Sequence, residues 1–489
     1  MIKKSLLNMI WSYGYFLLMI FMTVNCASAQ QFFKEDKPRL LVLTDIGADP
    51  DDIQSLRRLL LYANEFRLTG IIATASGNRH QPKLKINKYL IDSIIDDYQL
   101  VQKKLSQHAS GYPKAEFLRA LVFEGEANAG SGNLQSGKST PGTEHIIKTV
   151  DSSNEKLNIV VWGGSHDLAQ ALLNVKDTRP EKDLKTFISK IRVYAIADQY
   201  PNGFNIGTGE WIYRNFPSVF YVESGPSFID TKAASFRGMY QNDSKGGDYV
   251  TLPLVKPGVE TYNSEEWLES NILNKGTLGE GYPIVNQNPN TSRNTKGIKE
   301  GDTPSWFYFL HNGLSEPDHP EWGGWGGRFE HFSGNHFIDA QDDHWSGEHD
   351  GALCRKWTVA RWREAYQNDF AARMQWCVSS FEEANHNPEV SINGDSSKKI
   401  IFLKAKSGET ISVDANASSD PDGNRLLFNW WIYHDASTTY GIISNKNKAK
   451  IKVNIPKQAP KGEIHIIIEV KDNGSPNLVS YRRLIVNVV

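Results

Sequence analysis

The chain has 489 residues, of which 39% are hydrophobic, 22% charged and 11% aromatic, and its formal net charge is −2. That length exceeds what one ordinary core holds and predicts two or three domains. The near-neutral balance supplies no strong field for nucleic acid or an anionic membrane, so neither is an expected partner.

Lys3 and Lys4 open the chain, a mostly apolar run follows from Met9 to Val24, and Ala27-Ser28-Ala29 precedes Gln30. This is the pattern of a secretory signal peptide over residues 1–29, and it predicts export to a periplasm, the cell surface or the medium. An uncleaved anchor is one alternative and a lipid anchor on Cys26 another, although Asn25 departs from the small residue usual before a lipidated cysteine. No second stretch is long enough to span a bilayer, so no membrane contact is expected after cleavage. Cys354 and Cys377 fall on or beside one helical stretch and read as buried structural thiols, with a disulfide left open.

Arg39 to Leu43 reads as a buried strand, Ile53 to Tyr62 has helical spacing and Leu68 to Ala73 is a second apolar run, which together make a βαβ unit. The alternation recurs: strand Leu157 to Trp162, helix Asp167 to Val175, strand Lys190 to Ile196, helix Glu210 to Arg214, strand Val219 to Val222. It predicts an α/β fold with a mostly parallel sheet flanked by helices, whose sites lie at the carboxyl ends of the strands. Residues 223 to about 350 are irregular and rich in Gly, Asn, Pro and Trp; Arg355 to Phe381 returns to a helical pattern. After a break at Asn385 to Pro388, alternating runs at Thr410 to Val413, Leu427 to Tyr433, Ile451 to Ile455 and Ile464 to Val470 predict a C-terminal all-β sandwich of immunoglobulin-like type. The expected domains are thus 30–384 and 385–489 after the leader.

The densest chemistry is Thr44 to Asp52, TDIGADPDD, between a buried strand and a helix. Asp45, Asp49, Asp51 and Asp52 repel one another unless a cation neutralises them or some are protonated, and oxygen-only ligands select Ca²⁺ or Mg²⁺. The alternative is that Asp49 caps the helix and the others are solvated first-turn acids. Their place at the end of a strand favours a site.

Residues 39 to about 80 resemble the opening of the inosine-uridine nucleoside hydrolases: an apolar strand, Asp-x-Asp-Pro-Gly-x-Asp-Asp, a helix, a second strand and a Gly-Asn pair. Asp45-Ile46-Gly47 and Asp51-Asp52 match the ends of that motif, and Gly77-Asn78 matches the sugar-contacting pair, which makes Asn78 a substrate-binding candidate. Val160 to Leu172, VVWGGSHDLAQAL, is similar to the family's strand-Thr-Gly-Pro-Leu-Thr-Asn-Leu-Ala segment, and the resemblance implies that the Trp162 carbonyl ligates calcium. Leu43 stands where the family has its first Asp, Ile46 replaces Pro, and two extra residues lie within Ala48 to Pro50. For the family's late His-Asp pair, a general acid followed by a metal ligand, the candidate is His349-Asp350, with Asp339, Asp342 and Asp343 as rivals for the ligand.

A closer resemblance, over roughly residues 35 to 489, is to bacterial proteins described as cellulose-binding, with a nucleoside-hydrolase-like domain and a C-terminal β domain. Its carrying segments are Thr44-Asp45-Ile46 with Pro50-Asp51-Asp52, Glu300 to Ser305 (EGDTPS), His319 to Gly323 (HPEWG), and Arg361-Trp362-Arg363 with Gln367 to Phe370. The sequence contains 13 Trp, and Trp322 and Trp325 lie in the Gly-rich stretch, where they read either as platforms for a sugar ring or as packing. Asp198 ends a strand and is a further candidate for substrate contact, Phe204-Asn205 resembles the ribose-contacting Phe-Asn of the nucleoside hydrolases, and His166 is a candidate acid or base.

These features lead to the expectation of a metal-dependent carbohydrate-active enzyme acting on oligosaccharides of plant or algal wall. Ca²⁺ or Mg²⁺ is expected on Asp45, Asp51, Asp52, the Trp162 carbonyl and Asp350; Asp45 accepts a proton from water, and His349 or His166 protonates the leaving group. Two other readings stand beside hydrolysis. One is a lyase or dehydratase acting on uronic-acid oligosaccharides; the other is a non-catalytic polysaccharide binder.

Overall fold

Short runs rich in Leu, Ile and Val carry the main sheet. Arg39–Thr44 (β1), Arg67–Ala73 (β2), Val122–Glu124 (β3), Leu157–Val161 (β4), Ile191–Ile196 (β5) and Phe220–Ser224 (β6) pair in parallel. The computed structural model describes residues 37–489 except 49, 77–84, 129, 197–206, 226–238, 240–258, 288–294 and 344–352. Successive side chains of a strand point to opposite faces. Accordingly Leu40 and Val42 of β1 enter one apolar layer, and Leu41 and Leu43 enter the other. A strand buried on both faces reads as a continuous apolar run, which is why β1 was visible in sequence.

The helices follow from the same layers. Asp51–Leu61 and Lys88–His108 bury Leu56, Leu59, Leu60, Ile91, Ile95 and Tyr98 on the first face. Pro141–Asp151 and His166–Thr178 bury Ile146, Val150, Leu168, Leu172 and Val175 on the second. Each expected strand and helix of the first half is present, with ends shifted by up to three residues.

The stretch after β6 that read as irregular contains regular structure. Val285–Gln287 (β7) and Thr295–Gly297 (β8) form a small antiparallel ladder. Phe329–Ser333 (β9) and His336–Asp339 (β10) extend the main sheet, β10 parallel to β6 and β9 antiparallel beyond it, in the order β3-β2-β1-β4-β5-β6-β10-β9. Asp342–Asp343 (β11) pairs with Leu353–Cys354 (β12). The single helical pattern of Arg355 to Phe381 is two helices, Trp357–Ala360 and Arg363–Trp376.

The last hundred residues form two sheets over a shared core. Ile401–Ala405 (β13), Leu427–Ile432 (β15), Gly462–Lys471 (β18) and Val479–Val488 (β19) make one, in the order β13-β19-β18-β15. Thr410–Asp414 (β14), Ile442–Ser444 (β16) and Lys450–Asn454 (β17) make the other, in the order β14-β17-β16. Trp430, Val413, Ile451, Val453, Ile466 and Ile468 fill the space between them.

This β portion is not set apart. Residues 38–489 are one compact unit. Tyr433, Ile467 and Tyr481 belong to the same apolar core as Trp325, Trp362 and Tyr366. Arg483, without solvent exposure, donates to the carbonyls of Leu314 at 2.9 Å and Gly323 at 2.7 Å. The buried Asp342 carboxylate faces Arg328 at 2.6 Å and Arg361 at 2.7 Å and accepts the Tyr433 hydroxyl at 2.6 Å. Removing one partner of a buried pair leaves a charge uncompensated at a cost of about 3–5 kcal/mol. Asp342→Ala is therefore expected to lower the free energy of unfolding, measured by chemical denaturation, by that order; an unchanged midpoint contradicts this account of the seam.

Candidate functional site

β1 delivers Thr44 and Asp45 to the carboxyl edge of the sheet, and the turn after it is tight. The Ala48 N–H donates to the Asp45 carbonyl at 3.0 Å, and Gly47 takes a φ of 89°, which favours glycine. Asn87 closes the turn from outside, donating to the Ile46 carbonyl at 2.9 Å. Asp51 and Asp52 then occupy the first turn of helix Asp51–Leu61, where the helix dipole favours negative charge.

Asp302 meets them from a distant part of the chain. One ligand oxygen from each of Asp51, Asp52 and Asp302 lies within 4.8 Å of the other two, and all three residues are buried. Asp302 is brought there by its neighbour Glu300. The Glu300 carboxylate pairs with Arg58 at 2.6 Å, both side chains fully buried, and accepts the Thr303 hydroxyl at 2.8 Å and the Tyr282 hydroxyl. Arg58 also donates to Gln367 at 2.7 Å and lies 3.8 Å from the Phe370 ring centroid. Both arms of the acidic group are thus tied together behind it.

A second tie runs through Trp162. Its indole N–H donates to the Ser305 hydroxyl at 3.0 Å, and that hydroxyl donates to the Asp302 carbonyl at 2.6 Å. Its backbone N–H donates to the Leu43 carbonyl at 2.8 Å, so the end of β4 is anchored to β1. Asp45 lies outside the three-carboxylate group. Ser76 donates to its Oδ2, and a Cβ on Gly163 would collide with its carboxylate, so the backbone after Trp162 packs directly against Asp45. Thr44 donates to Asp52.

His166 starts helix His166–Thr178 and is buried. Burial holds its pKa below the usual histidine value, against the opposing pull of Asp167 and Glu126, so the ring is neutral at pH 7. A neutral imidazole is suited to accepting a proton rather than giving one.

Several sequence candidates have other surroundings. Trp322 is 5% exposed, stacked on His319 with centroids 3.8 Å apart and 5.2 Å from His465. Trp325 is 3% exposed, against Phe307 and Tyr366. Both indoles fill the seam with the β portion and present no open ring face. Asp339 accepts from Ser224 at 2.8 Å and the Gly225 N–H at 2.7 Å, and Asp342 is held by its arginines. Asn78, Asp198, Phe204, Asn205, His349 and Asp350, with Asp49, lie outside the described residues. Cys354 and Cys377 are both buried. Sequence reasoning did not pick Asp302 as a ligand, although it lies in the segment EGDTPS that carries the closer resemblance. The family's late ligand follows a His; here the residue before Asp302 is Gly301.

Comparisons with known proteins identify the family of the chain. The description "Cellulose-binding Sde182, nucleoside hydrolase-like domain" matches residues 39–329, and "Cellulose-binding protein Sde0182, C-terminal domain" matches residues 410–488. The chain belongs to the Sde182 family. A solved structure from Saccharophagus degradans, a nucleoside hydrolase-related protein associated with carbohydrate metabolism, is 33% identical, covers 93% of this chain and 100% of its own, and superposes with a TM-score of 0.72. An inosine-uridine preferring nucleoside hydrolase of Bacillus anthracis is 13% identical over 70% of this chain and 100% of its own, with a TM-score of 0.35. No curated protein sequence matches the chain. Among the described residues, no helix of this Sde182-family protein is long and apolar enough to cross a membrane.

The sheet contains a further titrating pair, away from the aspartates. Glu223 of β6 meets His336 of β10 at 2.7 Å, both buried, with Tyr213 stacked on the imidazole. Burial, helped by the nearby Glu210, pushes the Glu223 carboxyl up to about 8, and burial pushes His336 down to about 4. From pH 7.5, a full unit above the ordinary His value, to pH 8.5 the unfolded histidines are already mostly neutral, and Glu223 dominates the proton balance on folding. The folded state holds a proton there that the unfolded chain has released, so stability falls as pH rises. The melting temperature is expected to decline across that window in the wild type, and Glu223→Gln is expected to flatten the decline; equal slopes in both proteins contradict the assignment.

Ser305→Ala removes the hydroxyl between Trp162 and Asp302 and leaves the acids in place. It is expected to cost about 1–3 kcal/mol of stability, the penalty of an unsatisfied buried donor, measured by denaturation against Ser305→Thr, which retains the hydroxyl.

Proposed function

We propose that this protein is a metal-dependent carbohydrate-active enzyme that hydrolyses glycosidic bonds in oligosaccharides of plant or algal wall. The observation that carries the reading is the buried group Asp51, Asp52 and Asp302 at the carboxyl edge of the parallel sheet, an oxygen-only donor set of like charges. Such a set fits Ca²⁺ or Mg²⁺, with the Trp162 carbonyl as a further donor. The cation, when bound, would polarise sugar hydroxyls and lower the pKa of a water. Asp45, fixed by Ser76 and Gly163, is the carboxylate assigned to accept that water's proton. Family membership and the carbohydrate association of the Saccharophagus relative support a glycan rather than a nucleoside as substrate. Export is part of this reading.

One observation favours a second reaction on the same site. Gly301 precedes Asp302 where an imidazole acid would stand, and His166 is held neutral. That balance suits proton abstraction next to the carboxylate of a uronic sugar, followed by loss of the C4 substituent, in a lyase or dehydratase.

The two are separated by product mass from a uronic oligosaccharide: hydrolysis adds one water across the products, elimination adds none and dehydration removes one. For the site itself, Ca²⁺ or Mg²⁺ is expected to raise the melting temperature of the wild type in EDTA-stripped buffer and to leave Asp51→Ala/Asp52→Ala and Asp302→Ala unmoved, because a ligand of the native state stabilises by mass action. A wild type indifferent to millimolar metal overturns the metal reading and leaves polysaccharide binding without catalysis.

A further inference from the structure

The outer face of the three-stranded sheet β14-β17-β16 has a charge pattern that folding does not require. In β17, Ile451 and Val453 enter the sandwich core while Lys450 and Lys452 point out. Lys446 and Lys448, in the turn leading into β17, are exposed as well, so a lysine occupies every second position from 446 to 452. Lysines often protect the open edge of a sheet from pairing, but β17 is the middle strand, with β14 and β16 on either side.

Register places Asp414 and Ser412 of β14 opposite Lys450 and Lys452, and Ser444 of β16 opposite Lys452. Asp414 lies 3.3 Å from Lys450, whose side chain is 62% exposed. Among the described residues Lys446, Lys448 and Lys452 make no ion pair. Beside the lysines the same face carries hydroxyls and an amide: Thr410 donates to Asn454 at 2.8 Å, and Asn454 donates to Ser444 at 3.1 Å. Ile442, 59% exposed, lies opposite Asn454. From residue 385 onward Lys and Arg outnumber Asp and Glu, although the whole chain carries −2.

We propose that this face is a docking site for a carboxylated polysaccharide, distinct from the acidic group at the end of the main sheet. Positions two apart in a strand are about 6.6 Å apart, which sets the spacing of Lys450 and Lys452, and Lys446 and Lys448 in the preceding turn add further ammonium groups for a chain that repeats its carboxylates. The Asp414–Lys450 contact is the protein's own example of a carboxylate on this row. Ser412, Ser444 and Asn454 supply hydrogen bonds for sugar hydroxyls, and Ile442 supplies an apolar contact. The proposal goes beyond the reaction assigned above and does not depend on it.

The test is affinity electrophoresis of the mature chain through gels containing polygalacturonate, a sulfated galactan or hydroxyethyl cellulose, with duplex DNA competing in solution. Polygalacturonate is expected to retard the wild type, and the retardation is expected to fall steeply with salt as surface charges are screened. Lys446→Gln/Lys448→Gln/Lys450→Gln/Lys452→Gln is expected to bind at least about ten-fold more weakly with an unchanged melting temperature, a loss of about 1.4 kcal/mol. Asp51→Ala/Asp52→Ala is expected to bind polygalacturonate like the wild type. The proposal is overturned if polygalacturonate does not retard the wild type, if the fourfold variant binds as well, if binding is lost in the aspartate variant instead, or if sulfated galactan or DNA binds more tightly.

Discussion

A guanidinium sealed from solvent sets the geometry of the acidic site. Arg58 lies on the helix whose first turn carries Asp51 and Asp52, and its partner Glu300 lies two residues before Asp302. The ion pair therefore fixes the separation between two acid-bearing segments that are remote in sequence. Such a pair is expensive to bury unless every polar atom around the carboxylate is occupied. Here Tyr282 and Thr303 donate to Glu300 as well, and Gln367 and the Phe370 ring accept Arg58. A site of repelling carboxylates needs this kind of external clamp, because the acids themselves push the two arms apart.

How much of this could be read in the sequence differed by the range of the interaction. The β1 strand, its helix and the Asp51-Asp52 pair are local: an apolar run, helical spacing and acids in a first turn lie within a few residues of one another. Asp302 is a different case, since nothing in its own neighbourhood says that it faces helix Asp51–Leu61; only the contact through Glu300 and Arg58 does. Trp322 and Trp325 left two readings open for the same reason. A Gly-rich, Trp-rich segment reads equally well as an open cleft or a packed seam, and what decides is the distant β portion, whose Tyr433, Tyr481 and His465 cover it. β10 escaped notice because it is four residues long and borrows its pairing from β6.

The departures from the nucleoside hydrolase pattern acquire physical content in the fold. Leu43 replaces an acid, and it is fully buried in the apolar layer beneath β1. A carboxylate there would need a partner that the layer of Ile72, Ile159 and Leu168 does not contain. Trp162 replaces Thr, and its larger side chain reaches Ser305 on the segment that bears Asp302. One change places an apolar side chain beneath the site, and the other ties the end of β4 to the segment that bears Asp302.

The burial of Arg483 under the carbonyls of Leu314 and Gly323 has a consequence for the separability of the two parts. Detachable binding modules travel between enzymes by recombination because a linker separates their surfaces from the host. This β sandwich has no such independence: cut loose, it would expose Tyr433, Tyr481 and a desolvated arginine, and its former host would expose Trp322 and Trp325. The two facing surfaces depend on each other: a substitution at Trp325 on one side meets Tyr481 on the other, and one at Arg483 meets the Gly323 carbonyl.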